Sequence, residues 1–373
     1  KIIQERLRDS LEAYSRVWDI ASVDKVRYYF ALLSAALIHW NHLSAPCVAT
    51  HYRIDRMGVK LGVVMDPIES ITVKKDTTLA MLLAAQKRGW VIHYMLQSDM
   101  YLDQGQCRAT IQTLSVKDDE KDWFSLGSKT DIALSELDVV LMRKDPPFDM
   151  DYIYSTYLLE QAQHEGTLIV NDPQSLRDCN EKLFATQFPQ CCPPLIVASS
   201  QEKLKAFHTQ HEDVIYKPLD GMGGASIFRV KAEDPNLSVV IETLTDNGRQ
   251  QIMAQKFIPD IVNGDKRILM IDGEPVDYAL ARIPASGETG GNLAAGGSGV
   301  AQELTEKDRW ICEQIGPVLR EKGLIFVGLD VIGDYLTEIN VTSPTCIREI
   351  DKAFNLDVAG DLMDCIQTKL NAA

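Results

Sequence analysis

The fold is decided by the stretch Gly328-Leu-Asp-Val-Ile-Gly-Asp-Tyr-Leu-Thr-Glu-Ile-Asn-Val-Thr-Ser-Pro-Thr345, which lies near the C-terminal end of the chain. Two apolar runs, at 324–329 and 336–341, flank a Gly-Asp pair, and this pattern predicts a β-hairpin. Side chains alternate between the two faces along a strand. Glu338 and Asn340 therefore share one face of the hairpin, while the residues between and after them point into the core.

Oxygen donors on this face predict a metal site. Asp330 joins Glu338 and Asn340 there if it pairs directly with Glu338, which leaves residues 333–335 as a three-residue bulged turn. Mg²⁺ takes hard oxygen ligands and is usually held by one or two protein groups together with substrate phosphates; Mn²⁺ suits the same donors. An ordinary hairpin with a solvated polar face is the alternative interpretation of this stretch alone.

Composition limits the class of protein. The chain has 373 residues, enough for two or three domains, and its 45% hydrophobic and 24% charged residues are typical of a globular protein. A net charge of −15 argues against binding to nucleic acid or to anionic membrane surfaces. Its eight cysteines form no Cys-x-x-Cys pair, which indicates reduced thiols in a cytoplasmic protein. No stretch approaches the roughly 20 apolar residues of a membrane span.

Residues 1–56 differ from the rest of the chain. A charged pair, Lys25 and Arg27, precedes the apolar run 28–40, which is a poor match to a secretory signal because it begins too far into the chain and is rich in aromatic residues. A helical extension or an upstream coding segment is the alternative. Met57 is the expected functional start, because a clean strand follows it at once.

Residues 57–178 predict an α/β domain with a parallel sheet covered on both faces, since continuous apolar strands alternate with helices. The predicted strands are Val59–Met65, Val91–Met95, Asp138–Met142 and Thr167–Val170, and the predicted helices are Thr77–Arg88 and Tyr152–His164. Ligands of such sheets bind beyond the carboxyl ends of strands, where Asp66 and the loop 143–147 lie.

The rest of the chain predicts α+β structure. Ser175–Phe188 is predicted as a linking helix, and Pro193-Pro194 marks a boundary. Short strands and helices follow, with a hairpin across Asp272-Gly273 and a Gly-rich segment, 284–299, that is expected to be a mobile functional loop. We expect this region to divide into two subdomains, residues 179–250 and residues 251–373.

Lys217 ends a predicted strand and runs into a loop that contains Gly221, Gly223 and Gly224. Glycines let backbone N–H groups approach phosphate oxygens, and the lysine adds a point charge. The pattern is not a P-loop, because the lysine precedes the glycines and a strand follows them. A Gly-rich hairpin turn is the alternative, but the carboxylate hairpin a hundred residues later favours nucleotide binding.

Two weaker signals accompany this segment. Gln255–Ile258, at the end of an apolar run, offers a strand edge whose backbone groups could hydrogen-bond an adenine ring. Arg267, Arg282 and Arg348 can each bind a carboxylate or phosphate bidentately, although each taken singly suits a solvated or ion-paired side chain equally well.

Several long motifs together resemble the bacterial glutathione synthetases of the ATP-grasp superfamily. They are Met142-Arg-Lys-Asp-Pro-Pro-Phe148, Asn180-Glu-Lys-Leu183, Lys217-Pro-Leu-Asp-Gly-Met-Gly-Gly224, Gly291-Asn-Leu-Ala-Ala-Gly-Gly297 and Thr337-Glu-Ile-Asn-Val-Thr-Ser-Pro-Thr345. The resemblance covers Met57 to the C-terminus. It implies a Rossmann-like N-terminal domain followed by two α+β subdomains that clasp ATP, a lid and a catalytic part.

The resemblance also implies residue roles. The ATP phosphates should contact Lys182 and Lys217, together with the loop glycines, and the adenine should lie against Gln255, Lys256, Phe257 and Ile258. Asp330, Glu338 and Asn340 should bind Mg²⁺. Arg267 and Arg282 should act on the reacting carboxylate. The peptide substrate should contact these arginines together with Asn292, Ser343 and Thr345.

The implied activity is ATP-dependent joining of γ-glutamylcysteine and glycine, through an acyl phosphate, by a cytoplasmic homotetramer. A carboxylate–amine ligase with another acceptor and a non-catalytic ATP-binding regulatory protein are the alternatives. One departure stands out, because the family usually carries arginine where this chain has Gly290, and often a basic or polar residue at Ser298. We expect the missing loop cation to slow turnover.

Overall fold

The computed structural model describes residues 58–221, 224–284 and 298–372. Within these ranges the chain forms three β-sheets with helices packed against them. No helix in the described ranges is long and apolar enough to cross a membrane.

The first sheet has seven strands and is mixed. Its strands are β1 (Lys60–Val64), β2 (Val91–Met95), β3 (Met100–Asp103), β4 (Gln106–Val116), β5 (Phe124–Ala133), β6 (Val139–Met142) and β7 (Leu168–Val170). The order is β3-β4-β2-β1-β6-β7, with β5 paired to β4. The four predicted strands β2, β1, β6 and β7 are parallel as expected, whereas β3, β4 and β5 add an antiparallel extension that the sequence analysis missed.

Helices cover both faces of the parallel strands, as predicted. Two helices pack on the sheet, α1 (Thr77–Lys87) and α2 (Met150–His164). Val63 joins Leu79 and Leu82 of α1 in one apolar cluster, while the next residue, Val64, joins Leu159 of α2 in the other. Alternate residues of one strand thus enter separate cores, which is why its sequence is continuously apolar.

The linking segment is not one helix. Two short helices, α3 (Pro173–Asp178) and α4 (Glu181–Ala185), replace the single helix that was predicted over Ser175–Phe188. The side chain of Asn180 accepts hydrogen bonds from the backbone N–H groups of Lys182 and Leu183 and so starts a new helix. This cap places Lys182 in the first turn of α4.

The second sheet is antiparallel, in the order β10-β9-β11-β8. Its elements are β8 (Leu195–Ala198), α5 (Gln201–His211), β9 (Val214–Pro218), β10 (Phe228–Val230), α6 (Leu237–Leu244) and β11 (Ile252–Lys256). The two helices pack on one another and share an apolar core with the strands.

The third sheet has five antiparallel strands in the order β14-β13-β12-β15-β16. Its elements, with the helices that follow in the chain, are β12 (Asp265–Ile271), β13 (Glu274–Ile283), β14 (Ser298–Glu303), α7 (Glu306–Glu321), β15 (Phe326–Ile332), β16 (Tyr335–Asn340), α8 (Ile347–Phe354) and α9 (Val358–Ala372). The predicted hairpin across Asp272-Gly273 is confirmed, and both turn residues have positive φ angles, 49° and 77°. Strand β14 and helix α8 were not predicted.

Candidate active site

A cavity of about 640 Å³ lies where the second and third sheets meet the loops that follow β1, β6 and β16. It collects most of the residues that the sequence analysis selected. Those that line it are Lys217, Gly221, Gly224, Gln255, Lys256, Phe257, Ile258, Arg267, Arg282, Asp330, Glu338, Asn340, Ser343 and Thr345.

The hairpin of β15 and β16 forms one wall of the cavity, and its register confirms the direct pairing of Asp330 with Glu338. The predicted three-residue turn is wrong, because Ile332 pairs with Tyr335 and only two residues turn. The register shifts further along instead, where Thr337 is the extra residue of a β-bulge. Its hydroxyl donates a hydrogen bond to the Asp330 carbonyl (3.1 Å), and the bulge restores Asp330 to the face of Glu338.

Asp330 is held by two arginines. The Arg267 Nε lies 2.6 Å from Asp330 Oδ1, and Arg282 Nη2 lies 2.9 Å from Asp330 Oδ2. Arg282 also pairs with Asp265, at 2.5 Å. Burial raises the pKa of the Asp330 carboxyl, but the two guanidinium groups outweigh that effect and hold the pKa well below its ordinary value. Asp330 therefore stays ionised.

Asp265 was not selected from the sequence, yet it lies in this cluster. Burial raises the pKa of its carboxyl to about 7, against the opposing effect of Arg282. It occupies the first position of β12, and an Asp at a strand end carries no pattern that distinguishes it from a turn residue.

Two lysines converge on the other carboxylate of the hairpin. Lys217 Nζ lies 3.3 Å from Glu338 Oε1, and Lys182 Nζ lies 3.6 Å from the same atom. Lys182 also contacts Glu181 and donates to the Gly221 carbonyl at 2.7 Å. Burial lowers the pKa of Lys182, but Glu338 and Glu181 raise it above its ordinary value, so the ammonium is retained. Lys182 and Lys217 are 35 positions apart in the chain, and Glu338 lies 121 positions beyond Lys217, yet the fold brings the three side chains together. Two cations thus meet at one point, as an anion site requires.

The segment Gln255–Ile258 lines the cavity, but the interpretation of it as a sheet edge is wrong. Strand β11 is an inner strand, paired with β8 on one side and β9 on the other. The segment leaves the sheet at the end of β11, where the Phe257 N–H donates to the Asp213 carbonyl (2.9 Å). Arg229 stacks on the Phe257 ring, 3.4 Å from its centroid, and makes two hydrogen bonds to the Asp213 carboxylate.

The segment after β16 is tied to the first sheet. Arg143, buried at the end of β6, donates to the Pro344 carbonyl at 2.9 Å and to the Thr78 hydroxyl at 3.1 Å. These bonds fix the backbone that carries Ser343 and Thr345 on the cavity wall. Arg348, which had been a candidate anion ligand, instead pairs with Asp118 and donates to a backbone carbonyl of the first domain.

Some predicted residues lie outside the described part of the chain. They are Gly223 of the phosphate loop, and Gly290 and Asn292 of the Gly-rich segment. Ser298 is described, and it begins β14 opposite Ile283.

The donors on the hairpin suit a divalent cation. Asp330 and Glu338 offer carboxylate oxygens, and Asn340 offers an amide oxygen because its amide nitrogen donates to the Gly328 carbonyl (3.4 Å). Across the described residues, no three His, Cys, Asp or Glu side chains form a complete metal cage. Two carboxylates and one amide oxygen fit a hard cation that completes its coordination with substrate oxygens.

Two solved structures share the fold of this chain. D-cycloserine synthetase DcsG matches with a TM-score of 0.60 at 13% identity, covering 83% of this chain and 99% of its own. The ATP-grasp ligase PsnB, solved with a minimal precursor, Mg and ADP, matches with a TM-score of 0.54 at 17% identity, covering 83% and 98%. These structures show the same fold, and a family model of an ATP-grasp domain also matches residues 181–355, so the predicted fold class is confirmed.

The family follows from closer matches. Models of the prokaryotic glutathione synthetase N-terminal domain and ATP-grasp domain match residues 59–177 and 181–355. Glutathione synthetases of Pseudomonas putida, Vibrio vulnificus and Yersinia pestis are 67%, 63% and 60% identical over 316, 316 and 313 residues, which cover 84–85% of this chain and 98–100% of the relatives. The chain belongs to the prokaryotic glutathione synthetase family. The predicted activity, ATP-dependent glutathione synthesis by a ligase that uses a divalent metal, is confirmed at that level.

Proposed function

We propose that the chain joins the cysteinyl carboxylate of γ-glutamylcysteine to the amine of glycine by way of an acyl phosphate, with ATP cleaved to ADP and phosphate. A carboxylate oxygen is a poor leaving group, so an amine does not displace it directly. Phosphorylation turns that oxygen into part of a phosphate, which leaves readily. The reaction needs positioning and charge neutralisation more than a protein nucleophile.

One observation carries the proposal: two lysines meet at one carboxylate of the hairpin and two arginines meet at the other, and both carboxylates line one cavity. We assign the lysines, Lys182 and Lys217, to the ATP phosphates, with Gly221, Gly223 and Gly224 giving backbone N–H groups. Gln255, Lys256, Phe257 and Ile258 are assigned to the adenine.

The arginines are assigned to the carbonyl chemistry. In the first step an oxygen of the substrate carboxylate attacks the γ-phosphorus, and the bond to the β-phosphate oxygen breaks. In the second step the glycine nitrogen attacks the acyl carbon, negative charge develops on the carbonyl oxygen, and phosphate leaves as the amide forms. We assign Arg282 and Arg267 to stabilise that charge. Asn292, Ser343 and Thr345 are assigned to the peptide.

We assign Asp330, Glu338 and Asn340 to Mg²⁺, which Mn²⁺ can replace. When bound, the cation offsets the negative charge of the phosphates during transfer. Lys182 and Lys217 leave Glu338 for the phosphates in this scheme, which frees the carboxylate as a metal ligand.

We further propose three functional parts, residues 57–178, 179–250 and 251–373, with residues 1–56 as an extension of separate status. Strand β11 belongs to the second sheet, so placing the boundary between the last two parts after Lys256 would keep β11 with that sheet.

A homotetramer in the cytoplasm is the proposed assembly and location. Light scattering of the purified chain, together with fractionation of cells, tests both.

Isotope transfer tests the chemistry directly. The chain is incubated with ATP, Mg²⁺, glycine and γ-glutamylcysteine labelled with ¹⁸O in its cysteinyl carboxylate, and the released phosphate is analysed by mass spectrometry. One labelled oxygen per phosphate is expected, since the oxygen crosses only through an acyl phosphate. Unlabelled phosphate with normal peptide yield would exclude this route.

Replacing glycine in the same assay tests the alternatives. A panel of other amines identifies a ligase with a different acceptor if one of them supports faster phosphate release than glycine. ATP binding without any acceptor-dependent phosphate release would indicate a regulatory protein.

A further inference from the structure

Besides Glu181 and Asp265, which pair with Lys182 and Arg282, three charged side chains line the cavity without a role in the mechanism above: Lys75, Asp145 and Glu349. They come from separate elements, the turn before α1, the loop after β6 and the first turn of α8. One cation and two carboxylates on the wall of one cavity suit a ligand that carries both charges.

Glu349 is the informative member of this group. Its Oε2 atom is buried and has no hydrogen-bond partner, and burial raises the pKa of the carboxyl. A buried carboxylate oxygen without a partner is costly, and native structures rarely keep one unless a ligand or an ion satisfies it. A glutamate in the first turn of a helix is stabilising by itself, but that effect does not require a buried oxygen.

Cys346 and Glu349 line the same cavity as Arg267 and Arg282. The group formed by Lys75, Asp145 and Glu349 therefore shares one cavity with the arginines that we assign to the reacting carboxylate. A substrate that reaches from the arginines to this group needs a zwitterionic head remote from its reacting end.

We propose that Glu349, with Asp145, binds the α-ammonium group of the γ-glutamyl residue, and that Lys75 binds its α-carboxylate. This inference rests on the proposed function, in which γ-glutamylcysteine reacts through the cysteinyl carboxylate and leaves its amino-acid head free. The glycine amine is a poor candidate for the same site. A carboxylate beside it would favour the ammonium form, which has no lone pair for attack.

Substrate analogues isolate each contact. Glutarylcysteine lacks only the α-ammonium, and 4-aminobutanoylcysteine lacks only the α-carboxylate. Against γ-glutamylcysteine, Glu349→Gln should raise KM about 10- to 100-fold, since a hydrogen bond to a charged group is lost, with the KM for ATP within twofold. Against glutarylcysteine the same variant should match the wild type. Lys75→Met should likewise raise the KM for γ-glutamylcysteine, and it should match the wild type against 4-aminobutanoylcysteine.

Glu306→Gln is the matched control, because Glu306 also lies in the first turn of a helix but is exposed and does not line the cavity. It should leave the KM values for γ-glutamylcysteine, for both analogues and for ATP unchanged. Lys75 is exposed, so its variant tests the site even if the Glu349 variant folds poorly.

Two outcomes would overturn the inference: variants that lose affinity equally for γ-glutamylcysteine and for the matching analogue, or variants that keep the full preference of the wild type for γ-glutamylcysteine. Failure of the proposed function looks different, because the wild-type chain itself would then not turn over γ-glutamylcysteine with glycine.

Discussion

Asp330 should stabilise the protein as well as serve the metal, and this dual role separates it from Glu338. Both oxygens of Asp330 accept hydrogen bonds from arginines, and its side chain and that of Arg267 are each only 7% exposed. Asp330→Asn keeps the shape but leaves two guanidinium groups with too little negative charge. Removing one partner of a buried ion pair costs about 3–5 kcal/mol.

Glu338→Gln should cost less stability. The Glu338 side chain is 19% exposed, its lysine contacts are longer, and Lys182 keeps Glu181 as a partner. Because Lys217 is buried and loses its partner Glu338, we expect a loss of about 1–3 kcal/mol. Both variants should nevertheless lose metal-dependent turnover, because each removes a charged donor from the same face of the hairpin.

Thermal unfolding in EDTA without ATP distinguishes the two roles. A loss of 3 kcal/mol lowers Tm by about 6–12 °C in domains of 150–250 residues, so Asp330→Asn should unfold at a lower temperature than Glu338→Gln. The double variant Asp330→Asn, Arg282→Gln should cost less than the sum of the single changes, by about 1 kcal/mol, because it removes one of the unpaired cations. Equal Tm values for Asp330→Asn and Glu338→Gln would refute the reasoning.

Two further predictions concern residues outside the hairpin. Arg229→Met should raise the KM for ATP about three- to tenfold with kcat within twofold, because Arg229 stacks on the Phe257 ring and holds the side chain of Asp213, whose backbone carbonyl accepts a hydrogen bond from the Phe257 N–H. Steady-state kinetics at varied ATP measures this, and an equal fall in kcat would contradict it. Lys266→Met should destabilise the protein by about 3–5 kcal/mol, since Lys266 Nζ lies 2.5 Å from the fully buried Asp308. In urea unfolding, the double variant Lys266→Met, Asp308→Asn should regain part of this loss. No recovery of stability in the double variant would contradict the pairing.

Local patterns predicted the elements whose apolar residues are continuous or helically spaced. The strand Val91–Met95 and the helix Leu237–Leu244 lie where the sequence placed them, because continuous or helically spaced apolar residues have few other solutions. The antiparallel pair β4 and β5 was missed although Cys107, Ala109 and Ile111 alternate with polar residues, since a strand with one solvated face resembles a polar loop.

The candidate site was predictable where its chemistry lies within one segment. Glu338 and Asn340 follow from strand alternation, and the register of the hairpin then brought Asp330 to them. Lys182 came only from resemblance, because nothing local connects it with a carboxylate 156 positions away. Glu349 carries no local signal, since a glutamate in the first turn of a helix is an ordinary stabilising residue.

The balance of charge inside the cavity explains how a chain with a net charge of −15 can take a highly anionic substrate. Each cation assigned to the ATP phosphates or to the reacting carboxylate of the substrate already forms an ion pair with a protein carboxylate assigned to the metal. Lys182 and Lys217 pair with Glu338, and the two arginines pair with Asp330. Four buried or half-buried cations would otherwise repel one another and lose hydration without compensation. When ATP and its metal bind, the lysines and arginines can exchange these carboxylates for the substrate's anionic groups, and the carboxylates can take the metal in return. No charge is then left unpaired. The bulge at Thr337 is what makes this exchange possible, because without that one extra residue Asp330 would face the opposite side of the sheet from Glu338.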